Sequence, residues 1–91
     1  MMSCALMLRR AKVGDVSAEK AWADRMRRFL KAELKRAEVT YGELAERLRE
    51  HGLEETEASV ASKLSRGTFA ATFFVAAMKA IGVQTLRLED V

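Results

Sequence analysis

The chain has 91 residues, 49% of them apolar, with no proline, five glycines and a formal net charge of +3. That length holds one domain, and the lack of proline disfavours a turn-rich β fold. One cysteine, Cys4, and one histidine, His51, exclude an internal disulfide and a metal site built from thiolates or imidazoles.

A reducing, cytoplasmic setting is therefore expected, with no metal and no cofactor. The charge is unevenly spread. Residues 1–36 carry ten Lys or Arg against four Asp or Glu, residues 37–58 balance at −5, and residues 59–91 at +2. Such asymmetry suits a protein with one phosphate-facing surface. It equally suits a solvated basic helix face.

The first residues, Met1 to Leu8, form an apolar run followed by Arg9 and Arg10. A signal peptide places its positive charge first, and the run is too short to span a membrane. Residues 1–16 are read as a flexible tail. The first helix is predicted from Ser17, as N-cap, to Ala37, with Glu19 in the first turn where the helix dipole favours it. Trp22, Met26, Phe29, Leu30, Leu34 and Ala37 recur at helical spacing as its apolar stripe. Its other faces carry Lys20, Arg27, Arg28, Lys31 and Lys35.

Thr40 opens the second helix, in a Thr-x-x-Glu capping box with Glu43. Tyr41, Leu44, Ala45 and Leu48 mark its buried face, and Gly52 supplies a left-handed stop. Thr56 caps a short third helix, with Glu57 in its first turn, Ala61 and Leu64 pointing inward, and Gly67 ending it. Thr68 is predicted to cap a fourth helix from Phe69 to Ile81, ended by Gly82. Only Thr72 and Lys79 are polar within it, and a helix with no polar face is either central to a core or covered by another chain. The expected fold class is all-α, four to five helices, with the domain at 17–83 and a short extended arm at 84–91.

Three segments resemble the Cro and phage-repressor helix-turn-helix family: TYGELAERL, ASVASKLSRG and FFVAAMKAIGV, in the family's order over Thr40 to Val83. From Trp22 onward the chain also resembles an uncharacterised bacterial family of short proteins sharing an S-R-G-x-F pattern, here Ser65 to Phe69. The repressor resemblance implies a lambda-repressor-like bundle whose third helix enters the major groove. It places Ala58, Ser59, Ser62 and Lys63 at base edges, with Lys63 donating to guanine O6 or N7. It places Thr40, Tyr41, Arg66 and Thr68 on phosphates. The connection from Leu48 to Thr56 is longer than in that family and acidic, with Glu50, Glu54 and Glu55. The first helix, through Arg28 and Lys35, is the other candidate phosphate surface.

These observations lead to a dimeric DNA-binding regulator of the repressor type, contacting double-stranded DNA. Its dimer interface is expected at Phe73, Phe74, Ala77, Met78, Leu86 and Leu88. The alternative is an antitoxin- or adaptor-like interaction module meeting a basic protein partner at Glu54, Glu55 and Glu57. No membrane partner is expected. Nor is an enzyme: the pairs Glu54 with Glu55 and Glu46 with Glu50 read as solvated helix surface, with no second catalytic group beside them.

Overall fold

The computed structural model describes residues 16–91. The predicted tail, with Cys4 and the apolar run to Leu8, lies outside the described residues. Four α-helices follow: α1 (Val16–Ala37), α2 (Tyr41–Glu50), α3 (Glu57–Arg66) and α4 (Ala71–Ala80), then a 3-10 turn at Leu88–Asp90. The protein is all-helical, as its periodicity predicts, with no strand among the described residues.

Local chemistry sets most of the boundaries. Thr40 accepts from the Glu43 N–H while Glu43 Oε1 accepts from the Thr40 N–H, which satisfies two orphan donors of α2. Thr56 and Ser59 form the same reciprocal pair at α3. Gly52, Gly67 and Gly82 all take the left-handed conformation past α2, α3 and α4. Glu38 does the same after α1, at φ 58° without being glycine, so that the Val39 N–H reaches the Leu34 carbonyl at 2.9 Å.

Two predicted caps differ. Ser17 lies inside the first turn of α1, which begins at Val16, a shift of the size that frayed helix ends show. Thr68 does not cap α4. The N-cap is Ala70, which makes no side-chain cap bond. A hydrophobic staple takes the place of that bond: Phe69, just before the cap, lies against Phe74 in the first turns, with ring centroids 6.2 Å apart.

α2 packs on both α3 and α4, and α3 also packs on α1. The core between them is Leu30, Leu34, Val39, Leu44, Ala45, Leu48, Val60, Leu64, Phe73, Phe74, Ala77 and Met78. α3 meets α1 very closely at Gly67. A Cβ there would stand 2.5 Å from the Ala23 carbonyl oxygen, so the S-R-G-x-F glycine is needed both for its φ of +74° and for the space.

Three expectations about burial change. Trp22 is not core but 59% exposed, because the crossing with α3 falls at Ala23 and the small residue takes the buried position. Ala37 is exposed as well. Phe73, Phe74, Ala77 and Met78, predicted to be a dimer interface, are buried by the chain's own helices. The apolar run of α4 is therefore largely accounted for within one protomer, leaving Val75 exposed. Residues 84–91 are exposed at every position but the last. They pass along Val75, Met78 and Lys79 of α4, and bring Asp90 and Val91 to a cleft of about 530 Å³ on α1 beside Arg25, Arg28 and Arg36. Leu86 and Leu88 stay exposed on this return.

Candidate functional site

The acidic connection between α2 and α3 is organised by one buried carboxylate. Glu55 is 7% exposed. Its Oε1 accepts from the Ser59 hydroxyl at 2.7 Å, and its Oε2 accepts from the Lys63 ammonium. Lys63 also lies over the Phe73 ring, 4.8 Å from its centroid. The Glu55 backbone is held from the other side, where Arg49 Nη1 donates to its carbonyl at 2.6 Å. Burial acts to raise the Glu55 pKa, but hydrogen bonds from Lys63 and Ser59, with the charge of Lys63, outweigh it and hold the carboxyl below its ordinary value.

This network decides where the sequence-predicted base readers stand. Ser59 is half-buried and spent on the helix cap and on Glu55, and Lys63 is half-buried and turned toward the core. Ala58 and Ser62 are exposed on α3, with Arg66 exposed in its last turn. Glu55 cannot belong to a solvent-facing acidic patch, which corrects the expected partner surface. Glu54 and Glu57 remain exposed.

The start of α2 is also partly occupied. The Glu57 carboxylate stands 3.7–3.9 Å from where a Cβ on Gly42 would be, so an acid of this chain already sits at the first turn of α2. Thr40 commits its hydroxyl to Glu43, donating to Oε1 at 3.1 Å, and Tyr41 is half-buried. An incoming phosphate meets a competing carboxylate there.

The seam between α1 and the end of α3 is different. Because Gly67 sits on Ala23, Arg66 and Thr68 share a hollow with Glu19 and Lys20 of α1. At helical spacing Lys20, Arg27, Lys31, Lys35 and Arg28 fall within about 100° of the α1 circumference. Asp24 pairs with Arg27 at 3.1 Å. Lys20, Arg28, Lys31, Lys35 and Arg66 are exposed, and their side chains make no ion pair or hydrogen bond among the described residues. Of these five the resemblance supplies only Arg66, the basic first helix supplies Arg28 and Lys35, and Lys20 and Lys31 are not among the expected site residues. The seven-residue spacing of Lys20 from Arg27 is the sequence feature that marks it.

Lys79 of α4 is likewise exposed and without an ion pair or hydrogen bond among the described residues, while other cations are committed. Arg36 pairs with Glu33 at 2.8 Å, Arg25 lies over the Trp22 ring, and Arg47 donates to the Ala80 carbonyl at the end of α4. Glu43, Glu46 and Glu50 line the exposed side of α2. Among the described residues no group of three or more His, Cys, Asp or Glu could hold a metal ion. Among the described residues no helix is long and apolar enough to cross a membrane.

Residues 22–86 match the domain of unknown function DUF6471. The chain belongs to this family. Neither a curated protein nor a solved structure matches it. In this DUF6471 member the matched region runs from the exposed Trp22, through all of α2, α3 and α4, to Leu86. It thus takes in Gly67 with its seat on Ala23, Phe69 with its staple, and the Glu55–Lys63 pair.

Proposed function

We propose that the protein binds double-stranded DNA along the seam of α1 and the end of α3, on a helical scaffold like that of repressor-type transcription regulators. The observation that carries this reading is the group of five exposed cations without intramolecular partners, with Arg66 of α3 joined to Lys20 of α1 by the Gly67–Ala23 contact. Clustered Lys and Arg without carboxylate partners are what a phosphate backbone requires. Two nearby acids are drawn off, Glu55 inward to Lys63 and Glu57 to the start of α2, while Glu19 stays at the edge of the Lys20–Arg66 hollow. The order of the α2 and α3 segments, which resembles the repressor family, supports the same class. The protein acts as a homodimer, paired through the exposed Val75, Leu86 and Leu88 on α4 and the returning tail.

Fluorescence anisotropy on a labelled duplex tests the DNA reading. Four to five phosphates neutralised per protomer give a slope of about −4 in log affinity against log salt for each protomer on the duplex, or a loss of roughly two hundredfold per protomer between about 50 and 200 mM. Lys20→Ala with Lys31→Ala reduces that slope by about two. Absence of any complex at the lower salt refutes the reading. The exposed row Glu43, Glu46 and Glu50 then makes a basic protein partner on α2 the stronger alternative.

A further inference from the structure

We propose that Glu55 sets what α3 offers to DNA: by holding Lys63 inward it leaves the middle of the helix without a charged base reader, so the protein grips duplexes through their backbone with little discrimination among sequences. This rests on the DNA-binding reading above and adds to it which contacts are made and which are withheld.

Lys63 stands at the position on α3 where a base contact is expected, yet its ammonium is engaged twice on the inward side, by Glu55 and by the Phe73 ring. Phe73 is itself a buried core residue. Swinging Lys63 outward strands a carboxylate that is almost closed to water, and loss of one partner from a buried pair is costly. Nor is Glu55 on a loose loop that would follow the lysine. Arg49 holds its carbonyl, Ser59 holds its other carboxylate oxygen, and Ser59 is in turn fixed by the Thr56 cap. Three helices and the connecting turn thus share in keeping Lys63 where it is.

Besides Glu57, whose carboxylate stands at the start of α2, what α3 still presents is Ala58, Ser62, Ser65 and Arg66. A serine hydroxyl donates or accepts, and so accommodates any base pair without choosing among them. Arg66, at the end of the helix and beside Lys20, is placed with the α1 cations that serve phosphates. Direct readout needs a fixed, directional donor set such as a bidentate Arg, Asn or Gln, and the exposed middle of α3 has none.

The test uses the full chain and a double-mutant cycle on duplex binding. Selection from a random duplex pool is expected to yield a best sequence bound less than about tenfold tighter than the pool, since no strong base contact is made. Lys63→Gln, which keeps a donor toward Glu55 but removes the charge, is expected to change affinity less than about twofold. Glu55→Gln loosens Lys63. It is expected to strengthen binding several-fold and to steepen the salt slope by about one, with Glu55→Gln plus Lys63→Gln returning the slope to the starting value. Circular dichroism confirms that each variant is folded, and the selection and Lys63→Gln stand whether or not Glu55→Gln folds. A Lys63→Gln loss of tenfold or more on the selected duplex, or a selected sequence preferred by a hundredfold or more, overturns the proposal while leaving DNA binding in place. Failure of the unaltered protein to bind any duplex overturns the DNA reading itself, and this inference with it.

Discussion

Replacing Gly67 by alanine tests the joint on which the seam depends. Two penalties combine at this position. The backbone is left-handed, at φ +74°, where a Cβ costs about 1–2 kcal/mol. The new methyl also meets backbone: its 2.5 Å to the Ala23 oxygen is closer, by roughly 1 Å, than the 3.4 Å at which ordinary contact begins. A carbonyl inside a continuous helix cannot rotate away, so α1 itself must retreat. Overpacking of this kind costs about 1–3 kcal/mol. The expected loss is therefore about 2–5 kcal/mol, from a total of about 4–11 kcal/mol for a domain of this size. Gly52→Ala and Gly82→Ala separate the two penalties, because both glycines are left-handed, at +90° and +85°, with nothing within 4 Å of the added Cβ. Each should cost only the backbone strain, about 1–2 kcal/mol. Urea unfolding of the three variants gives the comparison. If Gly67→Ala costs no more than Gly52→Ala, the close approach of α3 to α1 is not a feature of the folded protein. Where Gly67→Ala stays folded, α1 shifts from the end of α3, and duplex affinity should fall with the widened gap between Lys20 and Arg66.

Thr56→Ala removes the acceptor for the Ser59 N–H at the start of α3 and should cost about 1 kcal/mol in urea unfolding. Glu38→Gly relieves the left-handed strain that closes α1 and should stabilise by about 0.5–1 kcal/mol, read as a higher urea midpoint with an unchanged slope. Glu55 has its pKa lowered from 4.5 in the folded protein, so its contribution is present above the unfolded value and is lost as pH falls through the folded one. The stability gap between the unaltered protein and Glu55→Gln should be constant near neutrality and close below about pH 4.5; a gap that widens in acid refutes the assignment. Leu86→Asp with Leu88→Asp, at two exposed apolar positions, should turn a dimer into a folded monomer by light scattering at tens of micromolar, roughly the range in which weak pairs separate. A dimer unaffected by both changes places the interface elsewhere.

Whatever acts within a turn or two of helix is legible along the chain. Thr40 with Glu43, Thr56 as a cap, the left-handed glycines at 52, 67 and 82, and the buried faces at Leu30, Leu34, Leu44, Leu48 and Leu64 are all of this kind. Each depends on neighbours three to seven residues away, whose geometry a helix imposes by itself. The direction of Lys63 is not local. It follows from Glu55 in the preceding turn and from Phe73 in the next helix, and helical spacing alone gives a lysine no reason to face inward. The cap of α4 is likewise carried by the contact of Phe69 with Phe74 rather than by the polar residue that a cap pattern favours. Trp22 and Ala23 show the point most plainly. Residue size and hydrophobicity nominate the tryptophan for the core, yet the crossing with α3 brings Gly67 down on the next residue, where only a small side chain leaves room. Burial is decided by which surfaces close against one another, and that depends on the meeting of helices more than 40 residues apart in the chain.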